Sequence, residues 1–367
     1  MEFVVEKTAF FKELQNVQGV VERKTTVPIL ANILLEADQG RLAVTATDLD
    51  VTVCCSCPAE VQAGGALAIS ARKLVDIVRL LPEKPIHFKS GEEGWIHVRC
   101  ERSRFKIASL SKDNFPEVPV VEGETIRLPS EVLRYMISHT IFAVTQEESR
   151  YSLNGALMVL EGSQLILVAT DGHRLAMVRK ELDPAPTTEG VRILIPKKTL
   201  VELGKMAEEV ESVEFGHSEN HLFFRLDERL LVSRVLTGQF PNYEMVVPRD
   251  NDREALMDSD EFSSAVKRVQ VMADEQSRGV RFSLSSGELN ISAASADYGE
   301  AKESLPAQYQ GESIEISFNA NYLVDFLQVL STEQVCLKLR DSETQGLLVP
   351  QEEGGYEYQY VIMPMKL

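Results

Sequence analysis

Apolar residues alternate through Leu165, Leu167 and Ala169, break at Thr170-Asp171-Gly172, and period two resumes through Leu175, Met177 and Arg179. Alternation on either side of a Gly-containing turn predicts a β-hairpin over residues 165–178. Residues 42–53 carry the same pattern, and their Ala46-Thr47-Asp48 triplet reappears as Ala169-Thr170-Asp171. A fainter third copy runs over 289–302. Such recurrence points to a repeated domain.

Elsewhere the period becomes helical. Phe10, Phe11, Leu14 and Val17 share one face, with Thr8 as the expected N-cap. Ser130 introduces a second helix carrying Leu133, Met136, Ile137 and Ile141; Asp258 or Ser259 introduces a third carrying Phe262, Val266 and Val269. A second set places an alternating strand and a small or polar cap before a Leu-Val-rich helix, around residues 75, 200 and 322. Phe115-Pro116 is echoed by Phe240-Pro241. Segment types recurring in one order predict three copies of one α+β domain, each with two helices and about eight short antiparallel strands. The acidic stretch at 121–124 and the polar stretch at 248–252 divide the chain into domains 1–123, 124–250 and 251–367.

Composition narrows the class. A chain of 367 residues holds two or three domains, and 44% hydrophobic with 26% charged residues is ordinary for a soluble globular protein. No apolar run reaches the roughly 18 residues of a membrane helix, and the N-terminus lacks a basic region followed by an apolar block, so the expectation is cytoplasmic, without membrane contact. A net charge of -18 disfavours simple phosphate binding, so any nucleic-acid role must rest on a local basic surface or on topology. Cys55 and Cys57 share a strand face with no His or second Cys pair nearby; with Cys54, Cys100 and Cys336 they read as small strand residues, not as metal ligands.

Catalytic signatures are missing: there is no phosphate loop, HExxH, CxxC pair or GxSxG elbow. Asp171 and His173 lie across a turn, a spacing that suits a structural or peptide-binding role better than acid–base work. His87, His97, His139, His217 and His221 are scattered and read as surface or satisfied core residues. No catalytic residue, cofactor or metal is therefore expected. The helices carry Lys12, Arg72, Lys73, Arg79, Arg134, Lys197, Lys198, Lys205, Lys267 and Arg268, whereas acids concentrate at turns such as Glu92-Glu93, Glu147-Glu148 and Glu352-Glu353. Each cation alone reads as a solvated helix face, diluted by Glu13, Asp76 and Glu202; repeats can gather weak faces into one lining.

Several motifs carry a resemblance: RKTTVPILANILLE (23–36), ATDLD (46–50), SRFKIASL with NFPEVP (103–119), RYSLNG (150–155), VATDGHRLA (168–176), FPNY (240–243), RGVRF (278–282) and the terminal VIMPMKL (361–367). In these, over its whole length, the chain resembles the bacterial β sliding clamps, the β subunits of DNA polymerase III. The resemblance implies half of a ring: a head-to-tail homodimer that encircles duplex DNA, tethers the polymerase and has no catalysis of its own. Helix widths of about 10 Å agree, since six helices in a circle leave an opening of roughly 9 Å whereas twelve leave about 28 Å. Only the larger opening admits a duplex, whose major groove alone is about 12 Å wide.

By the same resemblance, DNA contacts fall on Lys24, Arg72, Gln146, Tyr151, Lys197, Lys198 and Lys205, with Glu147 an acidic departure. The dimer seam sets Lys73, Phe105 and Ile107 against Val271, Met272, Glu300 and Glu303. A peptide pocket combines Leu153, Thr170, Gly172, His173, Arg174, Leu175, Pro241, Met245, Val246, Val361, Met363, Pro364 and Met365. Ser152 and Met245 depart from the aromatic and basic residues frequent in the family. Implied partners are duplex DNA without sequence preference, the polymerase III α subunit, the clamp loader, and other polymerases and repair proteins that carry short clamp-binding peptides. Two other classes remain open to the residues alone: a scaffold that never meets DNA, and a hydrolase using Asp171 and His173.

Overall fold

The computed structural model describes every residue except 23–25, 93, 120–124, 146, 148, 187–189, 352–353 and 367. The expected boundary at 121–124 and the DNA candidates Lys24 and Gln146 lie outside the described residues. Six helices are described: α1 (Lys7–Gln18), α2 (Ala71–Leu80), α3 (Ser130–Thr140), α4 (Lys197–Met206), α5 (Ser259–Val269) and α6 (Ala320–Leu327). Of the 24 described strands, eight end by Leu110, eight lie within 125–234 and eight within 253–362, which is the threefold repeat the periodicity predicts.

Helix starts are partly as expected. The Asp258 carboxylate caps α5 by accepting the Glu261 N–H at 2.8 Å. Thr8 is not a cap. Helix α1 begins one residue earlier, and the Thr8 hydroxyl donates to the Glu83 carboxylate at 2.8 Å. Ser130 is the first helical residue of α3, and its Oγ has no hydrogen-bond partner among the described residues.

Contacts group the chain into two compact units. The first comprises Met1–Arg134 and Lys198–Val235. Its strands form one twelve-stranded sheet, continuous because Val51–Ala63 of the first repeat pairs with Arg229–Arg234 of the second, Leu231 opposite Val53 and Ser233 opposite Val51. Its core includes Phe3 stacked on Phe88 at 4.8 Å, with Phe10 of α1 edge-on to Phe88 at 5.6 Å. Cys55 and Cys57 are buried on one face of Val51–Ala63; burial pushes the Cys57 thiol up to about 12, so it stays protonated and inert.

The second unit comprises Tyr135–Lys197 and Leu236–Leu367. Its eight-stranded sheet is continuous across repeats in the same way, Arg174–Glu181 pairing with Tyr356–Ile362. A four-stranded sheet carries the core rings Phe282 and Phe318, and Phe262 of α5 packs edge-on to Phe282 at 5.7 Å. The hairpin at 165–178 forms as expected, from Gln164–Thr170 and Arg174–Glu181. Its alternation is one of faces only: residues 165–170 and 174–178 are all buried. An apolar cluster with Leu153, Phe240 and Tyr243 covers the face that the hairpin alone would leave to water. No described helix is long and apolar enough to cross a membrane.

Candidate functional site

The turn Asp171-Gly172-His173 is built by side chains bonding to backbone. Asp171 Oδ1 accepts the N–H groups of His173 at 2.9 Å and Arg174 at 3.1 Å. Thr170 Oγ1 accepts the Gly172 N–H at 3.1 Å and donates to the Arg174 carbonyl at 2.6 Å. Gly172 sits at φ +90°, which glycine adopts freely. The first repeat makes the same turn: Thr47 Oγ1 accepts from Leu49 at 3.1 Å, and Asp48 Oδ1 accepts from Asp50 at 3.0 Å and Val51 at 2.6 Å. Even the chain crossing each turn matches, with Arg234 N–H donating to the Asp50 carbonyl at 2.8 Å and Met363 N–H to the His173 carbonyl at 2.9 Å. Asp171 is thus committed to the turn and to Arg174, an arrangement that supplies no base for His173.

Beside the turn lies an apolar floor. Leu153, Leu175 and Val361 are buried with Phe240, Tyr243 and Leu347, and Val246 packs against them. Gly172, His173 and Pro241 are exposed, and two methionines stand out from the surface, Met245 at 81% and Met363 at 42% exposure. Pro364 and Met365 are half-buried, the tail being held by the Met365 N–H on the Ser317 carbonyl at 2.8 Å. An apolar floor with adaptable thioethers at its mouth suits apolar side chains of a peptide. Arg174 and Thr170 belong to the frame instead: both are buried and bonded within the protein. Sequence reasoning missed Phe240, Tyr243 and Leu347 as floor residues, although the Phe-Pro echo marked Phe240.

Of the DNA candidates, Arg72 on α2 and Tyr151 are exposed, Tyr151 at 65%. The α4 lysines are engaged. Lys197 Nζ donates to the Val144 carbonyl at 3.3 Å, and burial, with Arg174 nearby, lowers its pKa. Lys198 Nζ donates to the Val20 carbonyl at 2.8 Å and pairs with Asp48; Lys205 pairs with Glu202 at 2.9 Å. Lys12 pairs with Glu209, Arg79 with Asp76, Arg134 with Glu208 and Arg268 with Glu303. Among the described residues Arg72, Lys73 and Lys267 are exposed without an ion pair. Exposed pairs are weak enough to exchange for a passing phosphate; the Asp48 and Glu202 carboxylates are both buried, but Lys205 itself stays exposed, whereas Lys198 is half-buried and held by the Val20 carbonyl as well, which ties it down.

Of the described strands that keep an unused edge, two stand beside exposed apolar residues. Ser103–Leu110 pairs fully with Trp95–Cys100, but its other side meets Gly65–Ser70 only at Ser109 and Leu110. Its half-buried Phe105 adjoins a shallow hollow lined by Ile77, Leu80 and Leu81. Gly299–Pro306 is the end strand of its sheet, with Glu300 exposed on it and Glu303 paired to Arg268. Val271 is 74% exposed and Met272 half-buried. Unpaired edges beside exposed apolar residues are ready to add a strand.

Comparison with known proteins agrees along the whole chain. Three family profiles match in order: DNA polymerase III beta subunit, N-terminal domain over residues 1–119, central domain over 127–242 and C-terminal domain over 244–366. The beta sliding clamp of Pseudomonas putida is 36% identical over 370 residues, with 100% of both chains covered. Among solved structures, the sliding clamp of Pseudomonas aeruginosa bound to griselimycin matches with a TM-score of 0.93 at 36% identity, and that of Bartonella birtlesii with 0.93 at 35%, each covering 100% of both chains. With its threefold repeat, its continuous sheets and these full-length matches, the chain belongs to the DNA polymerase III β-subunit family, the bacterial sliding clamps.

Proposed function

We propose that the chain works as that family does, through the residues placed above. A sliding clamp has no catalysis of its own; it encircles duplex DNA as a head-to-tail homodimer, holds the polymerase on its template and recruits partners through an apolar pocket. The observation that carries the reading here is the repeated seam. Repeats one and two join strand to strand, repeats two and three join in the same way, and Ser103–Leu110 and Gly299–Pro306 are among the strands that keep an open edge. In a head-to-tail ring of the family's kind, these are the edges that would meet between two copies.

In this reading Phe105, Ile107 and Lys73 meet Val271, Met272, Glu300 and Glu303 of a second copy. Domain limits at 123 and 250 follow the repeats. Arg72, Tyr151, Lys197 and Lys205, with Lys24 and Gln146, face DNA through weak, water-mediated contacts that permit sliding. Lys198 contributes mainly by fixing α4. Leu153, Leu175, Pro241, Met245, Val246, Val361 and Met363 receive peptides from the polymerase α subunit, the clamp loader, other polymerases and repair proteins. With DNA as its track, the ring works in the cytoplasm. Primer extension on a primed circular template tests the reading: adding this chain and a clamp loader to polymerase III should lengthen the product of each binding event, and unchanged product lengths would contradict it.

A further inference from the structure

Arg174 is 8% exposed, and each of its side-chain nitrogens is bonded inside the protein. Nε donates to Asp171 Oδ2 at 3.0 Å, Nη1 to Asp325 Oδ2 at 2.7 Å and Nη2 to the Phe142 carbonyl at 2.7 Å. The guanidinium lies 4.4 Å from the Tyr322 ring centre, so α6 supplies both the ring and, one turn on, the carboxylate. Three separate segments therefore converge behind the pocket turn: the turn itself, the chain following α3, and a helix of the next repeat.

The first junction solves the same problem differently. Val51 occupies the place of Arg174, and Asp48 is met by Lys198 from the next repeat's helix. Only at the pocket is the cation rooted in the turn's own strand. The Met363 N–H hangs on the His173 carbonyl, so whatever fixes this turn also fixes the mouth of the pocket.

We propose that Asp325 and Arg174 are positioning residues for peptide binding: their bond fixes the turn at 170–175 against α6, setting Leu175, His173 and the Met363 tail in register for a ligand that neither residue touches. The inference rests on the pocket reading above. Three charge-assisted bonds to three different residues make Arg174 a rigid strut, and releasing its outer end frees the turn to hinge at Gly172 while Leu153 and Phe240 keep the floor intact.

Anisotropy titration of a fluorescein-labelled Gln-Leu-rich peptide with the full-length protein tests this. Asp325→Asn and Arg174→Gln should each weaken binding by about tenfold or more, and the double variant should be no weaker than the worse single one, because the two act as a unit. Asp325→Glu should stay within about threefold of the parent. Dimer mass and retention on circular DNA should not change. Parent-like binding by Asp325→Asn, or losses that multiply in the double variant, would overturn the proposal. Failure of the parent protein to bind the peptide would remove the pocket reading itself. Should Arg174→Gln fail to fold, the Asp325 pair of variants decides alone.

Discussion

The Glu13 carboxylate on α1 accepts Nε and Nη2 of Arg229 at 3.0 and 2.9 Å, across 216 positions of sequence. Their side chains are 9% and 11% exposed, and Arg229 Nη1 continues to Glu209 at 2.6 Å, which Lys12 reaches at 2.9 Å. The chain of charges fastens the first repeat's helix to the second repeat's strand. Arg229→Met would leave Glu13 buried without its partner and should lower unfolding free energy in urea by about 3–5 kcal/mol. Replacing both residues by apolar ones should cost less than this single change. A loss below about 1 kcal/mol for Arg229→Met would contradict the account.

Met272 tests the seam between copies. Gly299 approaches it closely, a Cβ there falling 3.6 Å from Met272 Cε, so the methionine borders the open strand. In the proposed seam a carboxylate there would be buried against Phe105 of a second copy. Met272→Glu should sediment at the 41.0 kDa of one chain while the parent sediments at twice that. An undiminished dimer would refute the seam.

The tail tests the pocket. Residues 363–365 lie beyond the last strand and hold on through two backbone bonds, to His173 and Ser317, so their removal leaves the sheets untouched. Deletion of 363–367 should abolish binding of a Gln-Leu-rich peptide with the dimer preserved, and retained affinity would count against the pocket.

Acid should reveal His139. It is 6% exposed and stacked on Tyr135 at 3.8 Å, and burial lowers its pKa from 6.5 to about 4. The unfolded chain takes up a proton that the folded one refuses. Its stabilising contribution is therefore whole above pH 6.5, shrinks as pH falls and is gone below about 4. Between about pH 7 and 4.5, His139→Gln should lose about 2–3 kcal/mol less stability than the parent protein. Parallel urea midpoints for the two proteins across that range would show that His139 does not titrate this way.

Much of the fold was legible because strand and helix periods are local. The hairpins, the two helices per repeat, the Asp258 cap and the buried cysteines all follow from neighbours in sequence. Partners that arrive from another repeat were not. Asp325 lies 151 positions from Arg174, and Asp48 lies 150 from Lys198, so side chains that sequence reasoning assigned to peptide and DNA are tied inside the protein. Burial of both hairpin faces depends on Phe240 and Tyr243, far along the chain. Leu49 shows the same limit: a leucine at φ +81° is disfavoured by its own geometry, and the Thr47 and Asp48 bonds impose the turn regardless.

Topological retention is the most direct test of encirclement. Once loaded onto nicked circular DNA, the protein should stay bound through gel filtration at a salt concentration that disrupts ordinary phosphate contacts, and should come off when the circle is cut once. Equal loss from circular and linear DNA would contradict the ring.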